Sequence, residues 1–347
     1  MKKLLPIFFC VLISMAANAQ LNGTFTIGSA PYTSLSAAIA DLNAYGTSTG
    51  VTFLVTANYT ETFIQETEGH ITATGSAAAP IVFMKTGAGN NPVITAGIGD
   101  DSNYDGIIVL EGCDYITFDG INLVENPLNT TYEQKMEYGY GLLKSSNLLS
   151  GCQHVTIRNC TVSLDRTYVS STGIYGGNHN LVGSSDIVYN ENQLSAYNHF
   201  HSLTITDCYD GIKFLGSNNY GYGPEIYDKG YEIGVSGPIT ITNLGEGALS
   251  VRGINVNYHD SLTIANTTIN AGVGNGSLNY AIETTSGGAI SIYNNTISLN
   301  NVLYGKTFYG IYNTMGTLLD NRSVNISNNT IQDIVFAPAA IVSIIGI

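Results

Sequence analysis

An eight-residue pattern recurs seven times along this chain and constrains the fold more than any other feature. It reads ITFDGINL from Ile116, VTIRNCTV from Val155, LTITDCYD from Leu203, ITITNLGE from Ile239, LTIANTTI from Leu262, ISIYNNTI from Ile290 and VNISNNTI from Val324. The first and third positions are apolar in every copy, the third being Phe118, Ile157, Ile205, Ile241, Ile264, Ile292 and Ile326, while the second is Thr, Ser or Asn. Such period-two alternation describes a strand with one buried face. The fifth position reads Gly120, Asn159, Asp207, Asn243, Asn266, Asn294 and Asn328. Glycine and short polar side chains tolerate the left-handed backbone of a tight turn, and stacked Asn amides can bond to the copies above and below. The eighth position is apolar except at Asp210 and Glu246, so those two rungs are expected to turn differently.

A second strand precedes each copy and opens with a small residue followed by an aliphatic one: Gly106-Ile107, Gly141-Leu142, Gly173-Ile174, Gly211-Ile212, Gly253-Ile254, Ala281-Ile282 and Gly310-Ile311. One rung is then strand, turn, strand, Asn turn, short strand and variable loop. Such a unit cannot bury its own apolar face, so rungs must stack into a continuous core. Each copy re-enters in the same direction, which makes the stacking parallel, and crossovers of this kind are right-handed. The expected architecture is all-β, a right-handed parallel β-helix solenoid over 51–347, with no separate second domain.

The xTIxN columns and the small-aliphatic strands resemble the right-handed β-helix repeats of pectin-lyase-like secreted bacterial proteins, over roughly Val51 to the last residue. In 20–50, Leu35, Ile39 and Leu42 lie at i, i+4 and i+7 after the capping candidate Ser34, a short amphipathic helix. The resemblance implies that this helix plugs the N-terminal mouth of the coil and that VTFLV from Val51 is the first strand.

Residues 1–19 read as a secretory signal peptide: Lys2 and Lys3 precede the apolar run Leu4 to Met15, and Ala17-Asn18-Ala19 is an A-x-A cleavage site. Cys10 lacks the small residues of a lipobox, and no second apolar run is long enough to span a bilayer. The mature chain is expected to be secreted, extracellular or at the cell surface. Losing Lys2 and Lys3 takes the formal charge from −14 to −16, which excludes nucleic acid as a natural partner because phosphate binding needs clustered cations.

The resemblance brings activities whose motifs are missing. TSLSAAIADLN from Thr33 with FLVTANYTE from Phe53 resembles the opening of pectin methylesterases, without their later Gln- and Asp-containing segments. Gly99-Asp100-Asp101 resembles one fragment of the polygalacturonase acid motif, without its NTD, GHG and RIK companions. The Arg and Asp/His segments of pectate lyases are also missing, and fold without site licenses no activity. Lys144, Asp165 and Arg166 are the remaining candidates for a lyase abstracting a proton beside a uronate carboxylate, against a reading as loop charges. Asp101, Asn103 and Asp105 match the D-x-N-x-D-G half of a calcium loop, but Gly112 stands where its closing Glu belongs; calcium competes with a solvated acidic turn. His199 and His201 share a strand face without a visible third metal ligand.

In the repeat alignment Cys113 falls on Cys152 and Cys160 on Cys208, at the spacing of stacked strands, so both pairs can close as disulfides or remain as buried thiols. The chain has 23 Tyr and no Trp. Two excursions, 176–199 and 216–237, carry Tyr189, Tyr197, Tyr220, Tyr222, Tyr227 and Tyr231 among Asn, Ser and Gly, a composition suited to stacking on sugars or to covering the coil's side. The leading reading is an exported β-helix that binds polysaccharide or adheres without catalysis. The alternatives are a polysaccharide lyase or glycoside hydrolase acting on acidic polysaccharide, and a structural spacer. Gly346-Ile347 stands where earlier rungs open and no polar capping repeat follows, so the gene is expected to continue or the end to associate with another copy.

Overall fold

The computed structural model describes residues 20–100, 104–185, 187–217, 226–246, 249–271, 278–302, 306–316, 322–336 and 343–347. The leader 1–19 lies outside them. From Val51 onward the chain visits three parallel sheets in turn, with one extra short strand, Asp228–Lys229, on the third. Sheet 1 runs through ten strands from Gly23–Ile27 to Val324–Ser327, sheet 2 through nine from Thr60–Thr62 to Thr330–Phe336, and sheet 3 from His70–Ile71 to Ser343–Ile345. This is the parallel β-helix that the repeat predicts. The first strand is Gly23–Ile27, which pairs with Val51–Thr56, so the cap region already contributes to sheet 1.

The helix forms as expected, Leu35–Tyr45, with the Ser34 hydroxyl accepting from the Ala37 N–H and Leu35, Ala38, Ile39 and Leu42 buried. Glu61 holds its start: the carboxylate accepts from the N–H groups of Leu35 at 2.6 Å and Ser36 at 3.1 Å and from the Ser36 hydroxyl at 2.7 Å. An anion at a helix N-terminus satisfies otherwise orphaned donors.

The seven repeat copies fall into two sets. Those from Ile116, Val155, Leu262, Ile290 and Val324 lie in sheet 1, but those from Leu203 and Ile239 lie in sheet 2. In those two rungs sheet 1 is supplied by His199–His201 and Glu232–Ile233, whose Phe200 and Ile233 continue the inward column between Ile157 and Ile264. Ile205 and Ile241 accordingly stack with Val162 and Ile269 in sheet 2. Asp210 is polar because it already opens a sheet 3 strand. All seven fifth-position residues nevertheless have positive φ, from 48° at Asn266 to 73° at Gly120, so the same turn chemistry serves two different corners. Fifth-position side chains bond along the axis at one step, Asn243 Nδ2 donating to Asp207 Oδ1, and a more buried ladder sits one position later: Asn295 Nδ2 donates to Asn329 Oδ1 at 2.9 Å and to the Ile264 carbonyl at 3.1 Å.

Sheet 3 explains the small-aliphatic strands. Ile174, Ile212, Ile254, Ile282 and Ile311 are in register, as expected, but the earlier rungs place Gly139-Tyr140 and Ile107-Ile108 there, not Gly141-Leu142 and Gly106-Ile107. A Cβ on Gly173 would lie 2.5 Å from Ile205 and 2.8 Å from the Gly211 carbonyl oxygen, and one on Gly211 2.8 Å from Ile241. The sheet 2 aliphatics cross the narrow core and fill the space a side chain would need. Near the N-terminus the sheet 1 column is aromatic, Phe53, Phe83 and Phe118 stacking at 4.9 Å between centroids.

Cys113, Cys152, Cys160 and Cys208 are all unbridged and buried. The Asp114–Gln153 bridge sets Cys113 beside Cys152, whereas Thr161 pairs with Thr204, which puts Cys160 against Leu203 and Cys208 at a different corner. The Cys160–Cys208 pairing is therefore excluded by register. Burial pushes all four thiols up, Cys160 to about 11 and Cys152 to about 12.

Two outcomes follow from this packing. Asn266→Leu and Asn294→Leu force a branched side chain into left-handed backbone and should each cost about 1–2 kcal/mol, whereas Asn257→Leu, whose Oδ1 is buried without a partner, should not; equal melting temperatures for the three variants would contradict this. A thiol reagent should find the native mature protein inert and count four thiols after unfolding, and a lower count would reveal a bridge.

Candidate functional site

The outer face of sheet 3 is covered around Val109, Tyr138 and Tyr175, a second small core closed by Tyr104, Leu181 and Leu215. Tyr138 and Tyr175 stack at 4.1 Å. The first excursion thus does cover the coil's side, but it does so while presenting its far end elsewhere. Lys144 explains how. It is 2% exposed, its Nζ donating to the Gln193 carbonyl, with Asp228 close enough for its field to oppose the burial that lowers the lysine's pKa. Asp228 in turn accepts from the Ser195 N–H at 3.1 Å. Lys144 is therefore a buried anchor for the excursion, not a base facing solvent, because its side chain is buried and its ammonium is bonded to the excursion's backbone.

Tyr189 and the largely buried Tyr227 share one groove with Lys229, and Tyr197 lies on the other side of that ammonium. Tyr189, 61% exposed, and Tyr227 line a groove of about 380 Å³ together with Lys229, Glu191, Asp260 and Arg322. The Lys229 ammonium sits 5.9 Å from the Tyr197 ring and 2.6 Å from Glu191, and the Arg322 guanidinium lies 5.3 Å over Tyr227. Tyr197, 41% exposed, ends a stack that begins at Tyr115 and passes through His154, with centroids 4.4 and 5.2 Å apart. All three residues have φ between 53° and 57°, so each marks the same corner in successive rungs. The stack was visible in the sequence only as Tyr115 and His154 preceding two repeat copies; Tyr197 precedes a strand without the repeat. Tyr231, by contrast, is 1% exposed and packs on Phe214 and His259, so it belongs to the core. Tyr220 and Tyr222 lie outside the described residues.

Asp165 and Arg166 line a different, polar groove of about 580 Å³ along the sheet 2 to sheet 3 corner, with Glu125, Asn126, Asn129, Lys135 and Asp207. Asp165 is held by Lys135 at 2.6 Å and by Thr167; these partners outweigh burial and lower its pKa. Glu125 is raised by burial although the Met136 N–H and the Asn129 amide donate to it. Arg166 reaches two rungs along to the Asn243 side chain and the Gly245 carbonyl. Lys135, which sequence reasoning missed, is thus the cation nearest the carboxylates, and both cations are already engaged.

Of the calcium candidates, Asp101 and Asn103 lie outside the described residues. Asp105 is buried and accepts from the Asp100 N–H at 2.7 Å, on the wall of a third cleft with Glu66, His70 and Tyr104. Among the described residues no group of His, Cys, Asp and Glu has the arrangement of a metal site, His199 and His201 included. No described helix is long and apolar enough to cross a membrane.

No protein-family model and no curated protein matches the sequence. Among solved structures the chain is similar to an alginate lyase from Paenibacillus sp., at 11% identity over 93% of this chain and 98% of that one, with a TM-score of 0.46. It is also similar to a lacto-N-biosidase from Eubacterium ramulus, at 11% identity over 85% and 64% with a TM-score of 0.45. A mannuronan C-5 epimerase module from Azotobacter vinelandii gives 14% identity over 88% and 94% with a TM-score of 0.37. At these values the likeness is one of winding, and it assigns no residue of this chain a role.

Glu137 ties the third cleft's wall to sheet 3: it accepts from the Asp105 N–H at 2.9 Å and from the Tyr168 hydroxyl. Burial raises its pKa from the ordinary 4.5 to about 7. Protonated Glu137 therefore contributes its full stability below about pH 4.5 and loses it progressively as the pH rises to about 7. Glu137→Gln should flatten the fall in stability across that window, roughly 2–3 kcal/mol in the wild type by the linkage relation. Unfolding curves that keep the same pH slope in the variant would exclude Glu137 as its source.

Proposed function

We propose that this protein is an exported, glycan-binding β-helix whose ligand lies against the aromatic corner around Lys229. The observation that carries the reading is a groove where the two excursions meet, lined by the exposed Tyr189 with Glu191 and Lys229, with the exposed Tyr197 ring 5.9 Å from the same Lys229 ammonium. Tyrosine offers an apolar ring to a sugar's C–H face and a hydroxyl to its polar edge. Two cations, Lys229 and Arg322, are matched by Glu191 and Asp260, which suits a neutral or sparsely charged glycan. The overall charge of −14 works against a densely anionic one at neutral pH. The leader of residues 1–19 supports secretion. A hydrolytic reading stands second and rests on one observation: Glu125 and Asp165 share the polar groove with their pKa values displaced in opposite directions, as an acid and a base require.

Titration calorimetry with neutral and acidic oligosaccharides, with product analysis of the same mixtures, separates the two. Tyr189→Ala and Tyr197→Ala should each weaken the preferred oligosaccharide about tenfold, the equivalent of ~1.4 kcal/mol, while Tyr231→Phe, in the core, leaves affinity unchanged. No binding across the panel, or equal affinity in all variants, would exclude the corner; reducing ends that vanish with Glu125→Gln would favour hydrolysis.

A further inference from the structure

The exposed face of sheet 1 beside that corner carries three histidines in one another's reach. Register places Tyr115, His154 and Tyr197 in one column, Thr117, Thr156, His199 and Glu232 in the next, and Asp119, Arg158 and His201 in a third. Their neighbours Phe118, Ile157 and Phe200 are buried, so these columns face outward. Arg158 is 42% and His199 38% exposed in their side chains.

On this face Arg158 offsets Asp119, while Glu232 stands against an imidazole. Arg158 bonds Asp119 at 2.9 Å, and His199 Nδ1 lies 2.9 Å from Glu232. His154 sits between the Tyr115 and Tyr197 rings and faces His199. His201 faces Arg158, His199, Asp119 and Glu232, with Ser202 at 3.3 Å. Asp119 and Arg158 offset one another and Glu232 is opposed by His199, so protonating His154 and His201 adds two positive charges to a face with little net charge of its own. We propose that this face is a second glycan site, which takes an anionic polysaccharide in acidic surroundings and releases it near neutral pH. The aromatic column and the Thr column beside the charges fit a glycan better than a bare polyanion, since they offer ring edges and hydroxyls. Burial first, then neighbouring cations, holds His154 and His201 below the ordinary imidazole value of 6.5, so the face turns cationic on the acid side of that value. A chain that is otherwise strongly acidic gains a local cationic patch only there.

The inference is independent of the Lys229 groove, and its test keeps the two apart. An oligogalacturonate is titrated into the full-length mature chain at about pH 5 and about pH 7.5, a window that spans histidine titration and in which buried Glu137 also protonates, so the double variant H154Q/H201Q isolates the imidazoles. Affinity should be about tenfold higher at the lower pH, two partly buried charges each contributing a factor of a few. The double variant H154Q/H201Q should lose that ratio. Arg158→Gln should weaken binding at both pH values while tighter binding at the lower pH persists, and Tyr189→Ala should leave both unchanged. Equal affinity at the two pH values, or an unaltered ratio in the double variant, overturns the proposal. Equally tight binding of poly-glutamate would show that the face reads charge alone and overturns the glycan assignment.

Discussion

Every element of this protein depends on the parallel hydrogen-bonded ladder between successive rungs. A single rung contributes three short strands whose apolar faces point inward and whose backbone donors and acceptors point along the axis, so neither is satisfied until a neighbour stacks above and below. The core is a set of columns, not a globule. Phe53, Phe83 and Phe118 lead into Ile157, Phe200, Ile233 and Ile264 in sheet 1, while Val162, Ile205, Ile241 and Ile269 run beside them in sheet 2. The triangle is too narrow for three large side chains at one level, which is why sheet 3 uses glycine at 173, 211 and 253. The stack needs one closed end, and the helix Leu35–Tyr45 supplies it, its N-terminus fixed by Glu61.

The corners are a second, local constraint. A chain that turns between flat sheets within one or two residues needs left-handed backbone, and Asn, Asp, Ser and Gly adopt it at least cost. Tyr115, His154 and Tyr197 break that preference at one corner, where they have positive φ and stack on one another instead. Bulky residues adopt that conformation at a cost, which the ring stacking along this corner offsets. This corner is also where the first excursion returns, with Lys144 and Asp228 buried beneath it, so the tyrosines it carries are held against a rigid edge.

The winding was legible in local pattern alone. Alternation with one apolar face, a turn residue at a fixed position and re-entry in the same direction leave few architectures other than a parallel solenoid, and Ser34, Leu35, Ile39 and Leu42 specified the cap. Local pattern could not say which sheet each copy enters, because a strand followed by a left-handed turn looks the same at either corner. Register with the neighbouring rung decides, and so the copies from Leu203 and Ile239 moved to sheet 2, and with them Cys208 away from Cys160. His199–His201 and Glu232–Ile233 lack the repeat, yet join sheet 1 because Phe200 and Ile233 fill the column that Ile157 and Ile264 leave open. Only the tertiary structure decided the sites. Lys144 and Tyr231 read as exposed candidates in a loop-rich stretch and became core because the excursions fold back over them, whereas Lys229, Lys135 and His154 gained their surroundings from residues tens of positions away. Backbone preference and side-chain alternation act over a few residues and are legible in order; burial and the pairing of charges are set by which rungs lie above and below, and no local pattern carries that.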